Sequence, residues 1–284
     1  MTRAPSAANL LLWRRGGRRL PIGPGRLAAP LVLTRAQTAG VEATALNADG
    51  VTWGVFGADV PRFNGTAQRL LVEGARTNGV RNPRGEGASA GVHATRWAGS
   101  ATVNGVTLAV LGQVSEAGMQ GVEVEFTGTA SAAASLNVQF DVPTSSLATA
   151  VVAAVGEIWF GSVFHRLSSG TAPNGTTTLR ITECDAAGAG LVNNNTVVSG
   201  PTATLARVTG ITAAFGASAG RVTMFMFSNF NISTVVNCRI RYLWPHLEIG
   251  TFASTPILPP VGTPGVSSRG ADIIVSPLAS LGAT

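Results

Sequence analysis

The stretch RIRYLWPHLEIGTFASTPILP, residues 239–259, decides the fold class that we predict for this chain of 284 residues. Apolar and polar side chains alternate along its first half, which is typical of a β-strand. Tyr242, Trp244 and His246 occupy alternate positions and are expected to share one face, with the intervening leucines on the other. Pro245 has no backbone N–H, so the strand is expected to lie at a sheet edge or to bulge there.

The same alternation recurs upstream, in segments separated by Gly, Asn or Ser. Eight strands are predicted, at residues 101–111, 120–127, 134–141, 156–167, 177–184, 204–212, 220–229 and 236–248. Eight strands with turn signals between them predict an all-β fold, a jelly-roll β-sandwich. Phe225 and Phe227 interleave with other apolar residues, which predicts a central strand covered on both faces. The asparagines at 193–195 are expected to form a turn.

The regions outside the sandwich are richer in Pro and Gly and contain shorter apolar runs. The predicted organisation is an extended basic N-terminal arm at 1–35, small β elements and a linker at 36–95, the sandwich at 96–255, and a C-terminal strap at 256–284. The small elements have little core of their own, so they are expected to pack on another part of the protein.

The arm carries the sequence RRGGRR at residues 14–19. Arg14, Arg15, Arg18 and Arg19 are the candidate assembly contacts, and docking on a neighbouring subunit is the functional interpretation. A loosely ordered terminus is the alternative. The charges follow the short apolar patch rather than precede it, which is the reverse of a signal peptide.

Composition and charge exclude several classes of protein. Hydrophobic residues make up 45% and charged residues 12%, which is too apolar for a disordered chain. The longest apolar run, at 148–155, is far shorter than the ~18 residues of a membrane span, so no membrane insertion is expected. The net charge is +6, all basic residues are Arg, and six of them fall in the first 26 residues. The body of the chain is therefore not a basic nucleic-acid surface.

The two cysteines, Cys184 and Cys238, have no CxxC or Cys/His ligand spacing, so no zinc site is expected. Two buried free thiols or one disulfide between neighbouring strands both fit their contexts. No acidic cluster identifies a Ca²⁺ site, and no metal or cofactor is predicted.

Several short motifs occur in a fixed order along the chain. They are TRAQ at 34–37, NADG at 47–50, VPRF at 60–63, LLVEGARTN at 70–78, HLEIG at 246–250, ASTPI at 253–257 and SRGAD at 268–272. This ordered set resembles bacteriophage and prophage virion proteins, in which TRAS-like, DADG-like, VPRF and LLVE-x-ARTN segments precede a jelly roll, a QLE-G strap and a TRAAD-like segment. The resemblance covers about residues 31–275, with His246 in place of the usual Gln.

The resemblance implies a structural component of a phage-like particle, such as a tail fibre, head spike, collar or baseplate-associated protein. Such a protein is made in the bacterial cytoplasm and located in the virion. The implied partners are other virion proteins and further copies of this chain, as a trimer, a pentamer or another homo-oligomer. The family's jelly roll resembles a carbohydrate-binding module, which implies attachment to host-surface polysaccharide. A purely architectural connector is the alternative.

Glycan binding needs exposed aromatic rings for stacking, with polar side chains around them. The candidates are Trp97, Trp159, His165, Tyr242 and Trp244. Packing in the core is the alternative for each of them.

No catalytic motif is present, and the protein is not expected to be an enzyme. There is no G-x-S-x-G, P-loop or dinucleotide fingerprint. A glycosidase needs two carboxylates that face each other across a cleft. Glu123 and Glu125 are predicted to sit side by side on a solvated strand face, so a glycan-cleaving enzyme is only the third hypothesis. Glu73 and Arg76 are expected to form an ion pair that fixes the turn into the linker.

Overall fold

The computed structural model describes residues 32–36, 39–142 and 147–275. The candidate assembly contacts Arg14, Arg15, Arg18 and Arg19 lie outside these residues.

The described residues form strands almost throughout. The strands up to residue 103 are short: β1 (Val32–Thr34), β2 (Glu42–Leu46), β3 (Trp53–Phe56), β4 (Phe63–Asn64), β5 (Arg69–Leu70), β6 (Arg76–Asn78), β7 (Ala98–Gly99) and β8 (Thr102–Val103). The later ones are β9 (Val106–Glu116), β10 (Met119–Thr129), β11 (Ala134–Phe140), β12 (Val151–Val152), β13 (Trp159–Gly170), β14 (Thr177–Cys184), β15 (Gly190–Val198), β16 (Ala206–Ile211), β17 (Arg221–Phe230), β18 (Val235–Ile249), β19 (Ile257–Leu258), β20 (Ser267–Arg269) and β21 (Ile273–Val275). A short 3-10 helix at Leu147–Thr149 precedes β12.

Two antiparallel sheets form a jelly-roll β-sandwich, which confirms the predicted fold class. The first sheet has the order β16-β13-β18-β10-β9-β8. The second has the order β15-β14-β17-β11-β7, with β12 also paired to β17. Alternate side chains of both sheets meet in one apolar core, which explains the period-two pattern of the sequence.

All eight predicted sandwich strands are present, but a further strand, β15, was not predicted. The asparagines at 193–195 lie inside this strand, paired with β14, and the prediction of a turn was wrong. Neighbouring side chains satisfy their polar groups: Thr182 Oγ1 donates to Asn193 Oδ1, and Arg180 Nε donates to Asn195 Oδ1. An exposed strand face therefore accommodates residues that more often occur in turns.

Strand β17 is central, as predicted, because it lies between β14 and β11. Met224 and Met226 point into the core, whereas Phe225 and Phe227 point to the other side and stay half-buried. No strand of the described ranges forms a second layer over that side. Among the described strands, the expectation of a layer over both faces was therefore wrong.

The short strands at the two ends of the chain pair with each other. They form the arrangements β19-β2-β3, β20-β6, β1-β21 and β4-β5, which we call the small-strand layer. This layer packs on the outer face of the first sheet, as expected for elements with little core of their own. The ring centroid of Trp53 lies 5.4 Å from that of Phe164 and 6.2 Å from that of Trp244, in edge-to-face geometry.

Strand β18 bulges at Pro245, as predicted. Its pairing with β10 ends at Leu243, and its register with β13 shifts in the same place. Trp244 adopts a φ of 41°, which is unusual for a bulky residue. Beyond the bulge the backbone N–H of Leu247 donates to Asn78 Oδ1, so the small-strand layer takes over that edge of the strand.

Cys184 and Cys238 are free buried thiols in different sheets, so the alternative without a disulfide is confirmed. Burial raises the pKa of each thiol to about 11, which makes both unreactive near neutral pH. The described ranges contain no helix that is long and apolar enough to cross a bilayer.

Candidate functional site

The five ring-bearing residues predicted to bind glycan are all buried. Trp97, Trp159, His165, Tyr242 and Trp244 expose between 0% and 3% of their surfaces, so none offers a ring face to a ligand in solvent. The prediction that they bind glycan is therefore corrected, and the alternative of core packing holds for each. The physical reason is that four of them point inward between the sheets and Trp244 lies beneath the small-strand layer.

Individual contacts explain these positions. Trp97 packs edge-to-face on Phe140 with ring centroids 4.8 Å apart, and its Nε1 donates to the carbonyl of Asn82. Trp159 Nε1 donates to Glu157 Oε2 at 3.1 Å. Burial lowers the pKa of His165 to about 4, so this imidazole is neutral in the folded protein at neutral pH.

The bulge at Pro245 also corrects the expected common face of Tyr242, Trp244 and His246. Tyr242 points into the sandwich core, with its hydroxyl 3.4 Å from Ser228 Oγ, while Trp244 points toward the small-strand layer. Leu247 points into the core again, five residues after Tyr242. One extra residue in the bulge shifts the alternation, which a strict period of two does not anticipate.

A buried cluster of charges joins the small-strand layer together. Arg62 donates to Asp272 Oδ2 at 2.6 Å and to Glu73 Oε2 at 2.8 Å. Arg35 Nη1 reaches Asp272 Oδ1 at 2.9 Å, and Arg269 Nη1 reaches Glu73 Oε2 at 2.7 Å. The three arginine side chains are fully buried, so we call this group the buried arginine cluster.

Residues from five of the motifs that carry the family resemblance meet in this cluster. Arg35 comes from TRAQ, Arg62 from VPRF, Glu73 from LLVEGARTN, and Arg269 and Asp272 from SRGAD. The ASTPI motif contributes a hydroxyl, because the side chain at position 255 donates to a carboxylate oxygen of the cluster at 2.6 Å. These motifs therefore contribute to one buried network of ion pairs and hydrogen bonds.

The predicted ion pair between Glu73 and Arg76 is absent, and that prediction was wrong. Glu73 pairs with Arg62 and Arg269, while Arg76 Nε lies 3.4 Å from Glu248 Oε2. The preferred partners of Glu73 are brought to it by the fold from distant parts of the chain. Burial works against ionisation of Glu73, but Arg269, the hydroxyl and N–H of Thr255, and Arg62 together lower its pKa below the usual range.

The second sheet presents an open face on the side away from the core. It is formed by alternate side chains of β15, β14, β17 and β11, and we call it the polar–aromatic face. Its central members are Asn137, Gln139, Arg180, Asn195, Phe225 and Phe227. Half-buried rings among amides and a guanidinium are the combination that glycan binding needs.

Strand register sets the order of side chains across this face. Phe225 stands between Arg180 on β14 and Gln139 on β11. Phe227 is the next outward residue of the same strand, with ring centroids 5.8 Å apart. The guanidinium carbon of Arg180 lies 4.1 Å from the centre of the Phe227 ring. The stacked guanidinium and the Phe225 ring therefore form one shallow surface.

A groove of about 640 Å³ continues this face toward one end of the sandwich. Its floor includes Asn229, the next outward residue after Phe227, and its rims include Ser135 and Thr176. Asn229 Nδ2 donates to the carbonyl of Thr176 at 2.6 Å, which fixes the amide in the floor. The face is thus long enough for an extended ligand.

The outer face of the first sheet differs, because Arg166, Arg239 and Arg241 pair there with carboxylates. Glu123 accepts from Arg241 Nε at 2.8 Å and Glu125 accepts from Arg239 Nε at 2.8 Å. The two carboxylates stand side by side on one strand, as predicted. Cross-strand pairs of this kind are typical of a solvated sheet face.

A second groove of about 1220 Å³ lies between the small-strand layer and the sandwich. Arg76 and Arg81 line it, and both are engaged: Arg76 with Glu248 and Arg81 with Asp141 at 2.8 Å. In the described ranges no group of three His, Cys, Asp or Glu residues is arranged to hold a metal ion.

Neither a family model nor a curated protein matches this chain. Among solved structures, the enzymatically active domain of tailspike protein 4 of bacteriophage CBA120 is similar over 61% of this chain and 21% of that chain, with 15% identity and a TM-score of 0.42. The match takes in only about a fifth of the tailspike chain. The xylan-binding domain CBM22-1 of Paenibacillus barcinonensis Xyn10C is similar over 62% of this chain and 94% of that chain, with 14% identity and a TM-score of 0.36.

A Stig cyclase, Fisc from Fischerella sp. TAU, is similar over 63% of this chain and 100% of that chain, with 12% identity and a TM-score of 0.40. These three proteins have different roles, as an enzymatically active domain, a xylan-binding domain and a cyclase. Similarities of this size carry no inference about what the present chain binds.

The sequence did contain a signal for the polar–aromatic face. Phe225 and Phe227 alternate with buried methionines, and Arg180 alternates with Leu179 and Ile181. What the sequence did not contain was the information that no described strand packs over these rings.

Proposed function

We propose that this chain is a structural protein of a bacteriophage or phage-like particle that attaches the particle to glycan on the host surface. The observation that carries the attachment is the polar–aromatic face, with Phe225 and Phe227 among amides and a guanidinium. Repetition of a weak site in an oligomer of the chain raises avidity without a tight single site.

The resemblance to virion proteins supports the setting in a particle. Its motifs are far apart in sequence but contact one another in the buried arginine cluster, as between Arg62 and Asp272. A set of motifs that serves one structural purpose is more specific than the same motifs taken singly.

We further propose that the face binds without cleaving. Within the described residues, its four strands direct no Asp or Glu side chain outward into solvent. Glycoside hydrolysis by the usual route requires a pair of carboxylates at the bond.

Affinity gel electrophoresis tests the attachment. The purified full-length chain is run through gels that contain surface polysaccharides extracted from a panel of bacteria. Retardation by at least one polysaccharide is expected. Phe225→Ala should weaken it by about fivefold, since stacking on an aromatic ring contributes on the order of 1 kcal/mol.

Glu123→Gln is the matched control, because Glu123 lies on the outer face of the other sheet. It should leave retardation unchanged. Retardation that Phe225→Ala does not alter would move the binding site elsewhere. No retardation by any polysaccharide would favour a purely architectural connector.

That second candidate has an observation of its own. All five ring-bearing residues chosen from the sequence are buried, and the family motifs serve the packing of the small-strand layer. A connector predicts that copies of the chain assemble with other virion proteins but that particles lacking it still adsorb to cells.

A further inference from the structure

The charges of the polar–aromatic face are not neutralised by the protein. Arg180 on β14 points to this side, and it forms no salt bridge within the part of the chain that the structure describes. On the outer face of the first sheet, in contrast, Arg166, Arg239 and Arg241 pair with carboxylates. Arg207 on the same face is held by two hydrogen bonds to Ser162 Oγ. The polar–aromatic face thus keeps one accessible guanidinium, that of Arg180, without a carboxylate partner among the described residues.

Arg180 is held in place before any ligand arrives. Its guanidinium lies against the Phe227 ring, and its Nε donates to Asn195 Oδ1 at 2.7 Å. Its Nη1 and Nη2 make no hydrogen bond to any described residue and remain accessible to solvent. Two free, coplanar donors in a fixed orientation match the two oxygens of a carboxylate.

The neighbouring groups suit a sugar ring that carries such a carboxylate. Phe225 is adjacent to Arg180 across the strands and offers an apolar surface. On its other side, Gln139 Nε2 donates to Thr223 Oγ1, so Gln139 Oε1 is left to accept from a sugar hydroxyl. The row from Arg180 to Gln139 crosses three strands, or about 10 Å at the usual strand spacing.

We infer that the polar–aromatic face binds an acidic glycan, with a uronate carboxylate on Nη1 and Nη2 of Arg180 and a sugar ring on Phe225. This inference rests on the proposed attachment and names its ligand class. It commits to an anionic sugar because Arg180 has free guanidinium donors and, among the described residues, the four strands of the face direct no carboxylate outward that would repel one.

Matched ligands test the inference. Alginate, polygalacturonate and hyaluronan are each used in native form and after chemical reduction of the carboxyl groups to neutral alcohols. Binding of the full-length chain is measured by affinity electrophoresis at about 0.15 M salt, where long-range attraction is screened. At least one native polymer should bind about tenfold or more tightly than its reduced form, because charge-assisted hydrogen bonds are lost.

Matched variants separate a site from general attraction to a basic protein. Arg180→Gln and Arg239→Gln each remove one positive charge from a chain of net charge +6. Arg239 lies on the outer face of the first sheet. Arg180→Gln should weaken binding of the native polymer by about tenfold or more, whereas Arg239→Gln should weaken it less than twofold.

The outcomes are distinct. Equal loss in both variants would overturn the inference in favour of unspecific charge. Equal binding of native and reduced polymer, lost in Phe225→Ala, would also overturn it but would leave attachment to a neutral glycan intact. No binding of any form, together with no retardation by the bacterial polysaccharides, would overturn both proposals.

Discussion

Arginine serves opposite purposes in two regions of this protein. In the buried arginine cluster, Arg35, Arg62 and Arg269 are fully buried and each has a carboxylate within 2.9 Å. On the polar–aromatic face, Arg180 is half-buried and has no carboxylate partner in the described residues. Burying a charge is costly unless it is paired, so the fold is stable only while the arginines of the buried cluster keep their carboxylate partners. Arg180 remains partly solvated, so its charge costs little free energy, and its Nη donors stay free for a ligand.

The largest loss of stability is expected from a substitution in the buried arginine cluster. Asp272→Asn keeps the shape of the side chain but removes the charge that faces both Arg35 and Arg62. The free energy of unfolding, measured with urea, should fall by ~3–5 kcal/mol because two guanidinium groups lose a buried counter-charge. A fall of less than about 1 kcal/mol would show that the stability of the fold does not depend on the buried arginine cluster.

Acid should weaken the same cluster through Glu73. Its folded-state pKa is lowered, so its contribution to stability is complete above its unfolded pKa of about 4.3 and is lost as pH falls through the lower folded value. Glu73→Gln removes this contribution at every pH. The difference in unfolding free energy between the wild type and Glu73→Gln should therefore shrink as pH falls below about 4.

The wild type must be compared with Glu73→Gln because other carboxyl groups change the stability in the opposite direction as pH falls. Burial raises the pKa of Asp141 and of Glu248, so their protonation stabilises the folded state as pH falls toward the unfolded value. These contributions cancel in the difference. A difference that stays constant from neutral pH down to about pH 2 would contradict the role given to Glu73.

A smaller effect is expected for charges that are paired but solvated. Glu123→Gln breaks the bond to Arg241 on the outer face of the first sheet. The free energy of unfolding should change by only ~0.2–1 kcal/mol, because water still reaches this partly exposed pair and compensates for its loss. A loss as large as that of Asp272→Asn would remove the distinction between buried and solvated pairs.

The smallest expected effect on stability is at the open face. Arg180→Gln should change the free energy of unfolding by about 0.5 kcal/mol or less, since no salt bridge and only the stacking on Phe227 and one bond to Asn195 are lost. The same variant should show the largest loss of glycan binding. A loss of several kcal/mol in stability would place Arg180 with the structural arginines instead.

Local pattern in the sequence was sufficient for the sandwich. Alternation located all eight predicted strands, and the missing N–H of Pro245 located the bulge. It failed at 193–195, because an exposed edge strand tolerates asparagine when neighbouring side chains satisfy it. It also failed at Trp244, because one inserted residue reverses which side faces the core.

The candidate site could be predicted only in part, because it depends on long-range packing. Glu73 chooses partners that lie 11 and 196 residues away, and nothing in the local sequence favours them over Arg76. Likewise, whether Phe225 and Phe227 are covered depends on where other elements pack. Residue type alone therefore selected the buried aromatic residues rather than the accessible ones.

The contact between Arg35 and Asp272 has a consequence for how the chain folds during synthesis. The two residues are 237 positions apart, so at about 5–20 residues per second the arginine is made roughly 10–50 s before its partner. The strands of the sandwich are complete on the ribosome before that moment. The β1–β21 pair and the contact between Arg35 and Asp272 can therefore form only at the end of synthesis. During this interval Arg35 and Arg62 lack the carboxylate of Asp272, and slower synthesis of the last segment lengthens the interval.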